Sequence, residues 1–337
     1  MKKILLAGAL LPLIGAMTAS AASTINASGA SFPAPIYQKW FEEYKAKTGI
    51  QVNYQGVGSG AGIKALTEGT VDFAASDAPM TDQQLAGLKV KAFHFPTVLG
   101  AVVLTYNIPG VTAKLKFSGP TVAGIFMGSI TKWNDPKIKA DNPGVNLPAK
   151  DNDIVVVHRA DSSGTSFIFT DYLSKVSPEW KSKVGAATSV QWPIGLSGAQ
   201  NAGVAGLVKQ TPGSIGYVEL IYAVQQKMGY ADIKNANGKW IAPSFEGVTA
   251  AAAGMKDMPA DFRVSITNGP GDKTYPISSF TWMLIPSQIS DPAKKKAITD
   301  FLNWMLTDGQ KECEAMSYAP LPASVVAKEK KQIAEIR

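Results

Sequence analysis

Sulfur and imidazole are scarce in this chain. Among 337 residues there is one cysteine, Cys313, and there are two histidines, His94 and His158. An intramolecular disulfide is excluded, and a zinc site, which draws on several Cys or His ligands, is disfavoured. A catalytic thiol would want a histidine partner, and only these two exist; Cys313 reads as structural. A core of this size does not need disulfide staples. Membrane-spanning runs are also missing, because the one long apolar stretch, near the N-terminus, is too short and is broken by Gly8, Pro12 and Gly15. No basic stripe with interleaved aromatics is present, so nothing points to nucleic acid. The clusters Lys294–Lys296 and Lys328–Lys331 read as solvated helix faces. The 31 glycines and 21 prolines are dispersed, so there is no disordered tract, and no internal repeat is visible.

What is present begins with a leader. "MKKILLAGALLPLIGAMTASAAS" places Lys2 and Lys3 before an apolar core from Ile4 to Met17, and Ala19-Ser20-Ala21 fits a small-residue cleavage site. The reading is a cleavable export signal over residues 1–21. Two of the 33 basic residues go with it, leaving 31 against 26 acidic, a formal charge of +5. No cysteine lies near the cut, so a lipid anchor there is excluded.

The remaining length suggests about two domains. Ile36, Trp40 and Tyr44 recur at helical spacing over residues 33–47, with Ser31 as a possible cap in front and Gly49 behind. "IQVNYQ" alternates as a half-buried strand. "VDFAASDAP" ends a strand at Ser76-Asp77. "FPTVLGAVVLTYN" is long for one strand and suits a crossing between domains. A helix over residues 121–127, the strand "DIVVVH", and helices from Gly164 to Ser174, from Ser177-Pro178 and over residues 197–208 follow. The strands "PGSIGYVEL" and "SFTWMLIP" and an amphipathic helix in "DPAKKKAITDFLNWMLTDG" complete the pattern. Strands alternating with helices predict α/β layers.

Three small-residue turns precede helices: "GASFPAP" with Ser31, "GVGSGAGIKAL" with Ser59, and "RADSSGTSFIF" with Ser163, Gly164 and Thr165. A helix N-terminus exposes unpaired N–H groups and a partial positive charge, and so attracts anions. Serine at such a place is also the commonest helix cap. The third turn is the strongest, because Arg159 adds a guanidinium, although Arg159 could equally pair with Asp161. The second turn matches G-x-G-x-x-A, with Asp77 about 20 residues on, the pattern of a dinucleotide fold. An exported chain argues against that reading. It is no phosphate-binding loop of the Walker kind either, since Ile63 separates Lys64 from Gly62 and no Ser or Thr follows. A hydrolase is weakly supported: no G-x-S-x-G elbow surrounds any serine, and His158, one residue before Arg159, should face the other side of its strand.

Taken in order, "GASFPAPIYQKW", "VNYQGVGSGAGIKAL", "VDFAASDAPM", "FPTVLGAVVLTYNIPG", "KWNDP", "VVHRADSSGTSFIFTDYL" and "WPIGLSGAQNAGVAGLVKQTPGSIGYVEL" resemble the periplasmic phosphate-binding proteins of bacterial ABC phosphate importers, from about residue 25 to residue 325. The resemblance implies a two-domain α/β clamp of the type II kind, each domain a central sheet flanked by helices, with the ligand in the interdomain cleft. It implies one domain from residues 22–97 plus 277–337 and another from residues 98–276. It also implies a binding set: Ser31 and the Phe32 N–H, Ser59, Asp77 as the single acidic ligand, Arg159, and Ser163, Gly164 and Thr165, with Asp161 orienting Arg159. Ser162 stands where the family often has glycine, and Ser31 where it has Thr or Ser. The function implied is a monomeric, periplasmic, non-enzymatic carrier that delivers inorganic phosphate to an ABC permease with a cytoplasmic ATPase, without cofactor or metal. The alternatives are a binding protein for another tetrahedral oxyanion and a secreted phosphate-ester hydrolase. Asp77 fits the phosphate reading: a protonated oxyanion can donate to a carboxylate, whereas sulfate would meet only lone pairs.

Overall fold

The computed structural model describes residues 24–337 apart from Asp151. The expected leader therefore lies outside the described residues. The chain runs β1 (Thr24–Gly29), α1 (Ala34–Thr48), β2 (Gln51–Gln55), α2 (Ser59–Glu68), β3 (Phe73–Ser76) and α3 (Asp82–Ala86) into the long β4 (Ala92–Asn107). It continues through β5 (Lys116–Phe117), α4 (Gly119–Phe126), α5 (Pro136–Asp141), β6 (Val155–Arg159), α6 (Gly164–Val176) and α7 (Pro178–Lys183). Next come β7 (Leu196–Gly198), α8 (Gln200–Gln210), β8 (Ser214–Glu219), α9 (Leu220–Gln225), β9 (Gly229–Tyr230), β10 (Asp232–Lys234), β11 (Trp240–Ile241) and α10 (Phe245–Ala253). The chain then returns through β12 (Ser278–Pro286), α11 (Pro292–Met305) and α12 (Ala323–Ile333).

One nine-stranded sheet carries the site, in the order β2-β1-β3-β12-β4-β8-β6-β7, with β9 also on β4. The outer strands of each half are parallel, and β12, β4 and β8 join the halves antiparallel. The apolar run over residues 95–107 explains β4. A strand buried on both faces needs no alternation, and β4 is buried along almost its whole length. Its residues 92–101 pair with β12 and residues 102–107 with β8, so a single strand belongs to both halves.

Each half closes on an aromatic core. In the first, α1 presents Ile36, Tyr37, Trp40, Phe41 and Tyr44 on one face. Trp40 is fully buried and its indole N–H donates to the Gly309 carbonyl at 2.8 Å, so that N–H is not stranded. Side chains of this kind contribute about 1.5–3 kcal/mol each on burial. In the second half, Phe169 stacks on Tyr217 at 4.4 Å and meets Phe126 edge-on at 4.7 Å. Cys313 is buried in the first core, where burial pushes its thiol pKa well up.

Two local expectations are corrected. Ser31 does not cap α1; Pro33 takes the cap position, without a side-chain bond, and leaves the Ser31 hydroxyl free for other work. The helix expected from residue 197 starts at Gln200, because Leu196–Gly198 pairs with β6 as a strand.

Candidate functional site

Every candidate residue lies at or just beyond the carboxyl end of a strand, at the crevice where open α/β sheets take ligands. Ser31 and Phe32 follow β1, Ser59 follows β2, and Asp77 follows β3. Arg159 ends β6, and Asp161, Ser163, Gly164 and Thr165 lead from it into α6. A further turn, after β7, starts α8 with Gln200 and Asn201. Four helix N-termini thus converge where three were expected.

The structure brings these residues into direct contact across the two halves of the sheet. Ser59 Oγ accepts the N–H of Asp77 at 3.2 Å and that of Gly164 at 3.1 Å. The N–H of Gly60 donates to the Ser162 carbonyl at 3.0 Å. Asn201 donates to Ser31 Oγ from its backbone at 3.3 Å and from Nδ2 at 3.0 Å. Gly164 is required: a Cβ there would lie 2.5 Å from Ser59 Oγ and 2.6 Å from the Asp77 carboxylate. Ser163 caps α6 by accepting the Ser166 N–H at 3.1 Å. Phe32 is fully buried, and its carbonyl accepts the Tyr318 hydroxyl at 2.6 Å.

Arg159 is held rigidly. Its side chain has no exposed surface, and Asp161 grips it with both oxygens: Nε donates to Oδ1 at 2.8 Å and Nη2 to Oδ2. Nη1 donates to Thr165 Oγ1 at 3.1 Å. Asp161 also accepts the Gln200 N–H at 2.8 Å. Burial alone would raise its pKa, but the Arg159 hydrogen bonds and charge, with the Gln200 N–H, hold it below the ordinary carboxylate range.

Asp77 is different. It is 1% exposed, has no cation in contact, and Oδ1 accepts the Thr281 hydroxyl at 2.7 Å. Burial pushes its pKa up to about 7, against the opposing pull of the Thr281 hydroxyl and the Arg159 charge.

The hydrogen-bond directions define what the site can do. A hydroxyl has one proton and two acceptor positions. Both positions on Ser59 Oγ are filled by N–H donors, from Asp77 and Gly164. On Ser31 Oγ both are filled by Asn201. On Thr165 Oγ1 they are filled by Arg159 and Asn201 Nδ2. All three hydroxyls are left only with a proton to give. Three O–H donors, a guanidinium and helix N-termini suit an anion, and one buried carboxyl supplies an acceptor among them.

Sequence reasoning missed Asn201 and Thr281. Thr281 sits in an apolar strand run, where a buried polar residue was the available signal. Asn201 stands in "SGAQNAG", a small-residue turn like the other three. The rival histidine reading is not assembled: the His158 ring stacks on Trp192 at 4.9 Å and its Nδ1 lies 3.1 Å from the Arg159 carbonyl, on no serine hydroxyl. Among the described residues no group of three His, Cys, Asp or Glu is arranged to hold a metal. A wide groove of about 840 Å3 lined by His94, Phe262, Arg263 and Lys328 contains none of the candidate residues; the site itself is buried.

A two-lobed α/β clamp closing on a solvent-excluded polar site is the plan of a solute-binding domain, and residues 15–309 match the profile of the PBP superfamily domain. The phosphate-binding protein PstS of Xylella fastidiosa strain Temecula1 is 46% identical over 304 residues, covering 90% of this chain and 82% of that protein. PstS of Haemophilus influenzae is 42% identical over 321 residues, covering 95% of both. The solved structure of PfluDING, a high-affinity periplasmic phosphate-binding protein bound with phosphate, superposes with a TM-score of 0.73 at 22% identity, covering 92% of this chain and 93% of that one. The chain belongs to the PBP superfamily and, within it, to the family of the phosphate-binding proteins PstS.

Proposed function

We propose that this protein is a high-affinity extracytoplasmic carrier of inorganic phosphate, working with the membrane subunits and cytoplasmic ATPase of an ABC importer. The observation that carries this reading is the polarity of the site: hydroxyls of Ser31, Ser59 and Thr165 that can only donate, beside a buried Asp77 that can accept. Such a set fits a tetrahedral anion that keeps one proton. Ser31, Phe32, Ser59, Asp77, Arg159, Ser163, Gly164 and Thr165 are the proposed ligands, with Asp161 holding Arg159. The carrier is a monomer and a binding protein rather than an enzyme, in keeping with the binding-protein names of its relatives. Location in the periplasm is supported by the leader-like N-terminal sequence, and no helix among the described residues is long and apolar enough to cross a membrane. The lobes are proposed as residues 22–97 plus 277–337 and residues 98–276. The change of partner along β4 between residues 101 and 102, and the return of the chain at β12, support that division.

Equilibrium titration with labelled phosphate, and competition by sulfate and arsenate, tests the reading. Phosphate binds, arsenate competes because it too carries a proton, and sulfate is rejected by about 10⁴-fold or more. A chain that binds no phosphate, or sulfate equally well, overturns it.

A further inference from the structure

Asn201 is the second residue of α8, is fully buried, and touches both sides of the cleft. Its amide has one possible orientation. Oδ1 accepts the backbone N–H of Glu219 at 2.9 Å, and an N–H can only donate, so the oxygen must face Glu219. Nδ2 is thereby turned toward Ser31 Oγ at 3.0 Å and Thr165 Oγ1 at 3.2 Å. Ser31 follows β1 and Thr165 stands on α6, in opposite halves of the sheet. With its backbone N–H, also on Ser31 Oγ, Asn201 fills three of the four acceptor positions on these two hydroxyls; Arg159 fills the fourth.

We infer that Asn201 is a positioning residue for the anion: it imposes donor polarity on Ser31 and Thr165 and ties that polarity to the strand end at Glu219. This rests on the phosphate reading above and deepens it. Asn201 acts through the hydroxyls, whose protons are left to the ligand, so the anion is held more tightly than the same hydroxyls would hold it if they were free to accept.

The test is a double-mutant cycle read by calorimetric titration with phosphate, on Asn201→Ala, Ser31→Ala and the pair, with folding followed by circular dichroism. Asn201→Ala weakens phosphate by about 10- to 100-fold. In the Ser31→Ala background the same change costs less by at least about threefold, because one of the two hydroxyls it acts through is gone. Asn201→Asp keeps the shape and the acceptor for the Glu219 N–H but cannot donate when ionised. Its carboxylate accepts the Ser31 and Thr165 protons and turns them from the ligand. It therefore binds more weakly than Asn201→Ala, the reverse of the order that lost packing would give, and part of the loss relative to wild type is regained at acid pH. Wild-type affinity in Asn201→Ala, or an equal loss in both backgrounds, overturns the proposal. If Asn201→Ala does not fold, Asn201→Asp decides: wild-type affinity at pH 8 overturns the proposal, and a loss that shrinks on acidification supports it. A wild-type chain that binds no phosphate overturns the functional reading and the proposal with it.

Discussion

The two carboxylates of the cleft, Asp161 and Asp77, stand at opposite ends of one charge system. Asp161 is in bidentate contact with Arg159 and is held below the ordinary range. Asp77 is more deeply buried, has a hydroxyl from Thr281 in place of a cation, and is pushed up to about 7. The difference separates two tasks. At one end a neutralised pair fixes the direction of a guanidinium, a matter of geometry. At the other, under the proposed function, an under-compensated carboxyl would accept a proton from the ligand, a matter of selection. Burial by itself would raise both; a cation in contact at one and its absence at the other decides the sign.

Removing the acceptor breaks the contrast most severely. Asp77→Asn keeps the shape, loses the charge, and its amide can turn to donate. Phosphate affinity falls modestly while sulfate gains, narrowing the preference by as much as about 10⁴-fold; paired titration of both anions at one pH and salt measures it. Unchanged rejection of sulfate would place selectivity elsewhere. The wild-type protein should show the same trend on acidification. Below about pH 7 Asp77 carries a proton and can donate, so sulfate competes better at pH 5.5 than at pH 8. Arg159→Ala attacks the other end and leaves Asp161 unpaired. Phosphate binding weakens by about 2–5 kcal/mol and stability falls with it, seen by calorimetry and by thermal unfolding.

A third effect is on the ligand-free fold. The Asp77 pKa is raised in the folded state from 3.8 to about 7, so folding favours the protonated form. Its contribution to stability is complete below about pH 4 and is lost as pH rises through about 7, to a limit of about 4 kcal/mol. Asp77→Asn therefore stabilises the ligand-free protein at pH 8 and not at pH 4; equal stabilisation at both would show that the carboxyl is not titrating there. The smallest effect belongs to Cys313, whose thiol faces the Gly309 carbonyl and hydrogen-bonds to neither carboxylate. Cys313→Ser leaves phosphate affinity unchanged and costs at most about 1–2 kcal/mol of stability in denaturant titration.

Much of this was legible in the sequence because it is local. The turns "GASFPAP", "GVGSGAG" and "RADSSGTS" each combine small residues with a following helical pattern, and Arg159 and Asp161 lie two residues apart. The long apolar run of β4 announced a crossing strand. What was not legible is long-range. Thr281 reaches Asp77 from 204 residues away, and Asn201 reaches Ser31 across 170. No spacing rule encodes such pairs. The expected cap at Ser31 failed for a related reason: the hydroxyl was free to cap its own helix, but Pro33 took the position and tertiary contact claimed the hydroxyl.

The donor-only hydroxyls have a consequence for solvent. A water molecule brings two protons as well as two lone pairs, and makes about three hydrogen bonds when buried, so it uses acceptors as well as donors. Ser31, Ser59 and Thr165 offer it donors but no lone pairs, because N–H groups already occupy them. Asp77 has one oxygen committed to Thr281. Water is thus a poor tenant of the closed cleft, while an anion rich in lone pairs is a good one.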